Sequence, residues 1–154
     1  MIEASRLAAC LGLKLVVRLY PDGEPLRDAA QLRLLARFAE RIPPSFTLRY
    51  ESAMPQTGDL RAFDAHLRRG RLSIGVDAES RIRDAQDVTR RLTIKGRDAG
   101  CDRIILLVAD THANRDAIRV ARHVLASAVP LDTRAVLRAL SEGRDPGRNG
   151  LVVL

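Results

Sequence analysis

Three carboxylates in one short stretch, Asp64, Asp77 and Glu79, have the types and spacing to do metal chemistry. They fall in two runs, AFDAHLRR and RLSIGVDAE, that alternate as strands do and meet at Arg69-Gly70. In the first run Phe63, Ala65 and Leu67 share one face, with Asp64 and His66 on the other. In the second, Leu72, Ile74 and Val76 share one face, with Gly75, Asp77 and Glu79 opposite. A turn centred on Arg69-Gly70 would pair Leu67 with Leu72 and set Asp64 opposite Gly75, diagonal to Asp77. Hard divalent cations want oxygen ligands, and Mg²⁺ is commonly held by one or two carboxylates with waters and substrate phosphates. A metal so held activates water and neutralises the charge of an in-line phosphoryl displacement. Asp64, Asp77 and Glu79 are therefore the candidate ligands for Mg²⁺ or Mn²⁺. A solvated strand face whose acids are balanced by nearby arginines would show the same pattern.

A helical pattern follows, from about Ile82 to Ala99. At ~100° per residue, Ile82, Ala85, Val88, Leu92, Gly96 and Ala99 make its packed side. One polar flank carries Arg83, Gln86, Arg90, Thr93 and Arg97. Lys95 falls on the other, with Asp84 and Arg91, which argues against a catalytic lysine displaced onto the helix. Next, CDRIILLVAD contains the continuously apolar run Ile104 to Val108, as expected of a strand covered on both faces. In the following DTHANR, Asp110 or Thr111 reads as a helix cap, with Asn114 and Arg115 as weaker candidates for a phosphate contact.

The remaining elements frame these. A short helix is expected over 2–12, a strand in KLVVRLY closed by Pro21-Asp22-Gly23, and a helix from a capping box at Asp28 and Gln31 to about Ile42. FTLRYES reads as a strand, residues 112–128 and the stretch from Thr133 as helices, and LVVL as a last strand. The order β–α–β–β–β–α–β–α–α–β predicts an α/β fold with a mixed central sheet flanked by helices. At 154 residues the chain, 1–154, reads as a single domain.

Composition narrows the partner. The net charge is +7 and the pI about 10.6, which favours a polyanion, although only Lys14 and Lys95 are lysines and the arginines are dispersed. Aromatics make up 3% of residues, with no tryptophan, too few for a base-stacking platform. His66, His112 and His123 lack zinc-ligand spacing, and no phosphate-loop, dinucleotide or nucleophile-elbow motif occurs. No apolar run is long enough for a bilayer, so no membrane partner is expected. The first residues carry neither a basic leader nor a cleavage pattern, and Cys10 and Cys101 read as reduced, buried thiols. A cytoplasmic protein is the expectation.

The αβββαβ order, with an acid on the second strand, D-x-E closing the third and a long helix after it, resembles the PD-(D/E)XK nuclease superfamily, which has the restriction-endonuclease-like fold. The resemblance covers roughly Asp28 to Val108. It implies Asp64 as the lone aspartate, Asp77 as the first acid of the (D/E)-x-K pair and Glu79 in the lysine position. An alternative alignment takes Glu79 as the acid and Arg81 in the lysine slot, where an always-protonated guanidinium cannot act as a base. The superfamily often sets a glutamine or basic residue on the following helix beside the acids, which implies Gln86 and Arg90 as further site residues. RLYPDGEPLRDAAQL, GDLRAFDA, RLTIKGRDAGCDRIILLVADTHANR and GRDPG resemble a domain found C-terminal to helix-turn-helix modules in actinobacterial regulator-like proteins; residues 1–12 are then either the tail of such a module or an ordinary first helix. The nuclease resemblance implies a Mg²⁺- or Mn²⁺-dependent DNA phosphodiesterase. The alternative is a non-catalytic dimerisation, sensing or DNA-contact domain of a transcriptional regulator, with a homodimer as its assembly.

Overall fold

The computed structural model describes residues 25–53 and 61–154. The expected helix over 2–12, the KLVVRLY strand and its turn, and Cys10 lie outside them. Within them the chain runs α1 (Pro25–Ala39), β1 (Thr47–Ala53), β2 (Ala62–Arg69), β3 (Leu72–Glu79), α2 (Ala85–Ala99), β4 (Arg103–Val108), α3 (His112–Val120), α4 (Arg122–Ala128), α5 (Thr133–Ser141) and β5 (Gly150–Val153). The strands form one sheet in the order β1-β2-β3-β4-β5. The first two pairings are antiparallel and the last two parallel, so the sheet is mixed.

The sheet is covered on both faces, as the apolar β4 requires. Ile105 and Leu107 pack with Leu34, Leu35 and Phe38 of α1 and Val136 and Leu140 of α5. Ile104, Leu106 and Val108 point the other way, to Val88 and Leu92 of α2 and Leu125 of α4. Asp84 starts α2 two residues inside the expected span, because its carboxylate accepts from the Gln86 and Asp87 N–H groups as an N-cap. Gly100 closes the same helix at φ 62. Gly96 lets α2 lie close on the sheet: a Cβ there would stand 2.2 Å from Ile104 Cδ1. The helix expected over 112–128 is two, divided at Ala121.

The β2–β3 register differs from expectation by two residues. Leu67 faces Ile74 and His66 faces Gly75, because the chain turns at Gly70-Arg71 with Gly70 at φ 58. A two-residue shift keeps every side chain on its face and moves Asp64 from opposite Gly75 to level with Asp77.

Candidate active site at the carboxyl end of β3

Asp77 is the most deeply buried acid of the sheet, 2% exposed on β3. A charge so buried needs a partner, and Lys95 of α2 provides it. Its Nζ lies 2.9 Å from each carboxylate oxygen of Asp77, donates to the Ala62 carbonyl at 2.8 Å and sits 5.6 Å from the centroid of the Phe63 ring. Phe63 belongs to the packing under α2, away from Ala65 and Leu67 with which simple alternation groups it. Its ring lies on Gly75, where a Cβ would come within 2.6 Å of it, so the space this glycine leaves is filled by protein.

The ladder is distorted where it reaches the acids. The β1–β2 pairing steps from Tyr50↔Ala65 to Ser52↔Phe63, leaving Glu51 opposite Asp64 with a left-handed backbone, φ 49. On the other side, Asp64 Oδ2 accepts the Ala78 N–H at 2.7 Å, and the regular β2–β3 pairs end at Ala65↔Val76. Burial, and then the neighbouring charge of Asp77, push the Asp64 carboxyl up to about 6. Gln31 of α1 reaches across to donate to the Ala78 carbonyl at 2.8 Å. Both backbone polar groups of Ala78, between Asp77 and Glu79, are thus held by side chains from two other elements.

Glu79 turns away from this pair to Arg91 of α2, which also lies 3.6 Å from Asp87. Burial raises the Glu79 carboxyl above the usual range and Arg91 opposes that rise. Among the described residues, no three His, Cys, Asp or Glu side chains are grouped as a metal would need. The expectation that Asp64, Asp77 and Glu79 form one three-carboxylate set is therefore corrected: Glu79 is drawn off by a guanidinium, leaving Asp64 and Asp77.

These groups line a cleft of about 460 Å³. Arg81 and Arg83 stand exposed on its rim, with no ion pair among the described residues. The loop carrying them is pinned by Asn114, which is fully buried. Asn114 accepts the Ile82 N–H at 2.9 Å and donates to the Ser80 and Ala109 carbonyls at 3.0 and 2.8 Å. Expected as a phosphate contact, Asn114 is instead the clamp that holds the cleft's loop to the end of β4, since both of its amide N–H donors are used inside. Thr111 caps α3, and Asp110 pairs with Arg115 at 3.1 Å.

Gln86 and Arg90 are not brought to the acids. Gln86 is exposed beside a groove walled by Ala117, Val120 and Val124, and Arg90 pairs with Asp87 at 2.8 Å. Lys95 and Arg91, on the flank expected to face away, are the α2 residues at the site. Helical periodicity gives two polar flanks, and only the position of β2 beside β3 decides which one meets the acids. The sequence signal available was the i, i+4 spacing of two cations on a chain with two lysines.

Compared with known protein families, curated proteins and solved structures, the chain matches none. The class it can be given from its own geometry is an α/β protein with a buried carboxylate–ammonium cluster at the carboxyl end of a strand. Among the described residues, no helix is long and apolar enough to cross a membrane.

Proposed function

We propose that the chain is a PD-(D/E)XK-like, metal-dependent phosphodiesterase acting on DNA, with its lysine on α2. The observation that carries this is the meeting of Asp64, Asp77 and Lys95 in one cleft. Two carboxylates with open cleft volume suit Mg²⁺ or Mn²⁺, which complete their shells with water and substrate phosphate. The raised Asp64 carboxyl is consistent with this fit, because two crowded acids favour an added cation. The metal would activate water and neutralise charge on the phosphoryl group.

The chain's own residues do the rest. Asp64 and Asp77 hold the ion, and the peptide between them and Glu79 is kept in place by Gln31. Lys95 supplies positive charge where negative charge develops on the phosphoryl oxygens. Arg81 and Arg83 bind neighbouring phosphates, which fix the strand without reading its bases. The net charge of +7 draws the polyanion in.

Supercoiled plasmid incubated with Mg²⁺ or Mn²⁺ is expected to be nicked by the protein and left intact by Asp64→Asn and Asp77→Asn. No cleavage of DNA or RNA by the folded protein with either metal would sink the reading. The Glu79–Arg91 and Asp77–Lys95 pairs favour one alternative, a non-catalytic dimerisation or DNA-contact domain of a regulator. That reading expects a homodimer in sedimentation and salt-sensitive DNA binding without nicking.

A further inference from the structure

The ammonium of Lys95 takes up both oxygens of Asp77 at equal distance, 2.9 Å. It does so with a side chain only 12% exposed, against a carboxylate 3% exposed, so water screens the pair little. A divalent ion bound to Asp77 would sit ~2.0–2.6 Å from one of those oxygens. Two cations cannot share one buried carboxylate at such distances without strong repulsion. Lys95 has a second seat, however. The Ala62 carbonyl at 2.8 Å and the Phe63 ring, its centroid 5.6 Å away, already hold the ammonium independently of Asp77.

We propose that Lys95 is the resident counter-ion of the acid pair, and that a divalent cation enters by displacing it from Asp77 onto the Ala62 carbonyl and the Phe63 ring. This rests on the reading of Asp64 and Asp77 as a metal-binding pair. Metal entry and lysine release are then one event: without metal the ammonium is engaged by Asp77, and with metal it stays on the Ala62 carbonyl and the Phe63 ring while its remaining N–H groups are free to face the cleft it lines. Arg91 does not take part in this exchange, because Glu79 and Asp87 hold it at the side of α2. The ion-binding affinity is lowered by the lysine it must displace, so the residue that serves the bound substrate opposes the metal in its absence.

Two measurements test this. Because the chain has two lysines, Lys14 and Lys95, amine labelling followed by peptide mass analysis reads Lys95 directly. Lys95 is expected to label slowly in the metal-free protein and severalfold faster once Mn²⁺ is added. By calorimetry, Lys95→Met is expected to bind Mn²⁺ about tenfold more tightly than the unaltered protein, a factor worth about 1.4 kcal/mol. Mn²⁺ that binds while leaving Lys95 labelling unchanged would overturn the exchange and leave the metal reading standing. So would a Lys95→Met variant that binds Mn²⁺ equally or more weakly. No Mn²⁺ binding to either protein would remove the metal reading itself. The labelling experiment needs no substitution, so it decides the matter even if Lys95→Met does not fold.

Discussion

Each end of β3 gathers polar side chains on the face that carries α2, and the two gatherings behave differently. At the amino end His66, Ser73, Cys101 and Asp102 come together. His66 Nε2 is 2.9 Å from Ser73 Oγ and 4.0 Å from Cys101 Sγ. The Ser73 N–H donates to Asp102 Oδ2, and the Asp102 N–H donates to the Ser73 carbonyl. By residue type this is the more reactive-looking set, with a hydroxyl, a thiol, an imidazole and a carboxylate. Its environment makes it quiet. Burial raises the Cys101 thiol, and burial, then Arg68 and Arg49, lower the His66 imidazole, so both stay neutral. Asp102 is spent on backbone. At the carboxyl end, charged groups are held in a cleft rimmed by Arg81 and Arg83, which make no ion pair among the described residues. The difference shows that the types of the residues matter less than whether the fold leaves charge facing open volume.

The comparison breaks most visibly at Asp77. Asp77→Ala leaves the Lys95 ammonium buried without its partner and is expected to cost about 3–5 kcal/mol. The double change Asp77→Ala with Lys95→Met should recover most of that loss. Urea unfolding of the four proteins in this cycle measures it, and additive costs would mean that the pair is not coupled.

A smaller effect separates Asp64 from its neighbour. Its carboxyl titrates near 6 in the folded chain against an ordinary 3.8, so the folded state holds its proton more tightly than the unfolded state. Stability from this group is therefore full below about pH 4 and falls as pH rises through about 6. Asp64→Asn keeps an acceptor for the Ala78 N–H and removes the charge. It is expected to raise stability at pH 8 by about 2 kcal/mol, and to make no difference at pH 3.5. An equal gain at both values would show that burial and Asp77 are not what shifts the group.

The smallest change belongs to the amino end. Cys101→Ala is expected to alter stability by less than about 1 kcal/mol. In the folded protein the Cys101 thiol should react with a thiol reagent much more slowly at pH 8 than after unfolding. Fast labelling there would erase the contrast between the two ends.

Much of the architecture was legible in the residues. The alternation of β2 and β3, the apolar run of β4 and the periodicity of α2 are local patterns, each set by which side chains must leave water. Asp64 and Asp77 could be put on one face for the same reason, and a two-residue error in register did not disturb that. The flank of α2 that meets them could not be read, because a helix wheel has no knowledge of where β2 lies. Asn114 gave no signal either, since its partners Ser80, Ile82 and Ala109 are backbone groups that any sequence would offer.

For the three acids the division is clear. The two-residue period of a pleated strand puts Asp64, Asp77 and Glu79 on one face of the hairpin, and residue order is enough to show it. That Asp77 meets Lys95, that Glu79 pairs with Arg91, and that Gln86 and Arg90 stand apart came only with packing. Those outcomes depend on the order of strands across the sheet and on how closely Gly96 lets α2 approach, and neither quantity exists until the chain has packed.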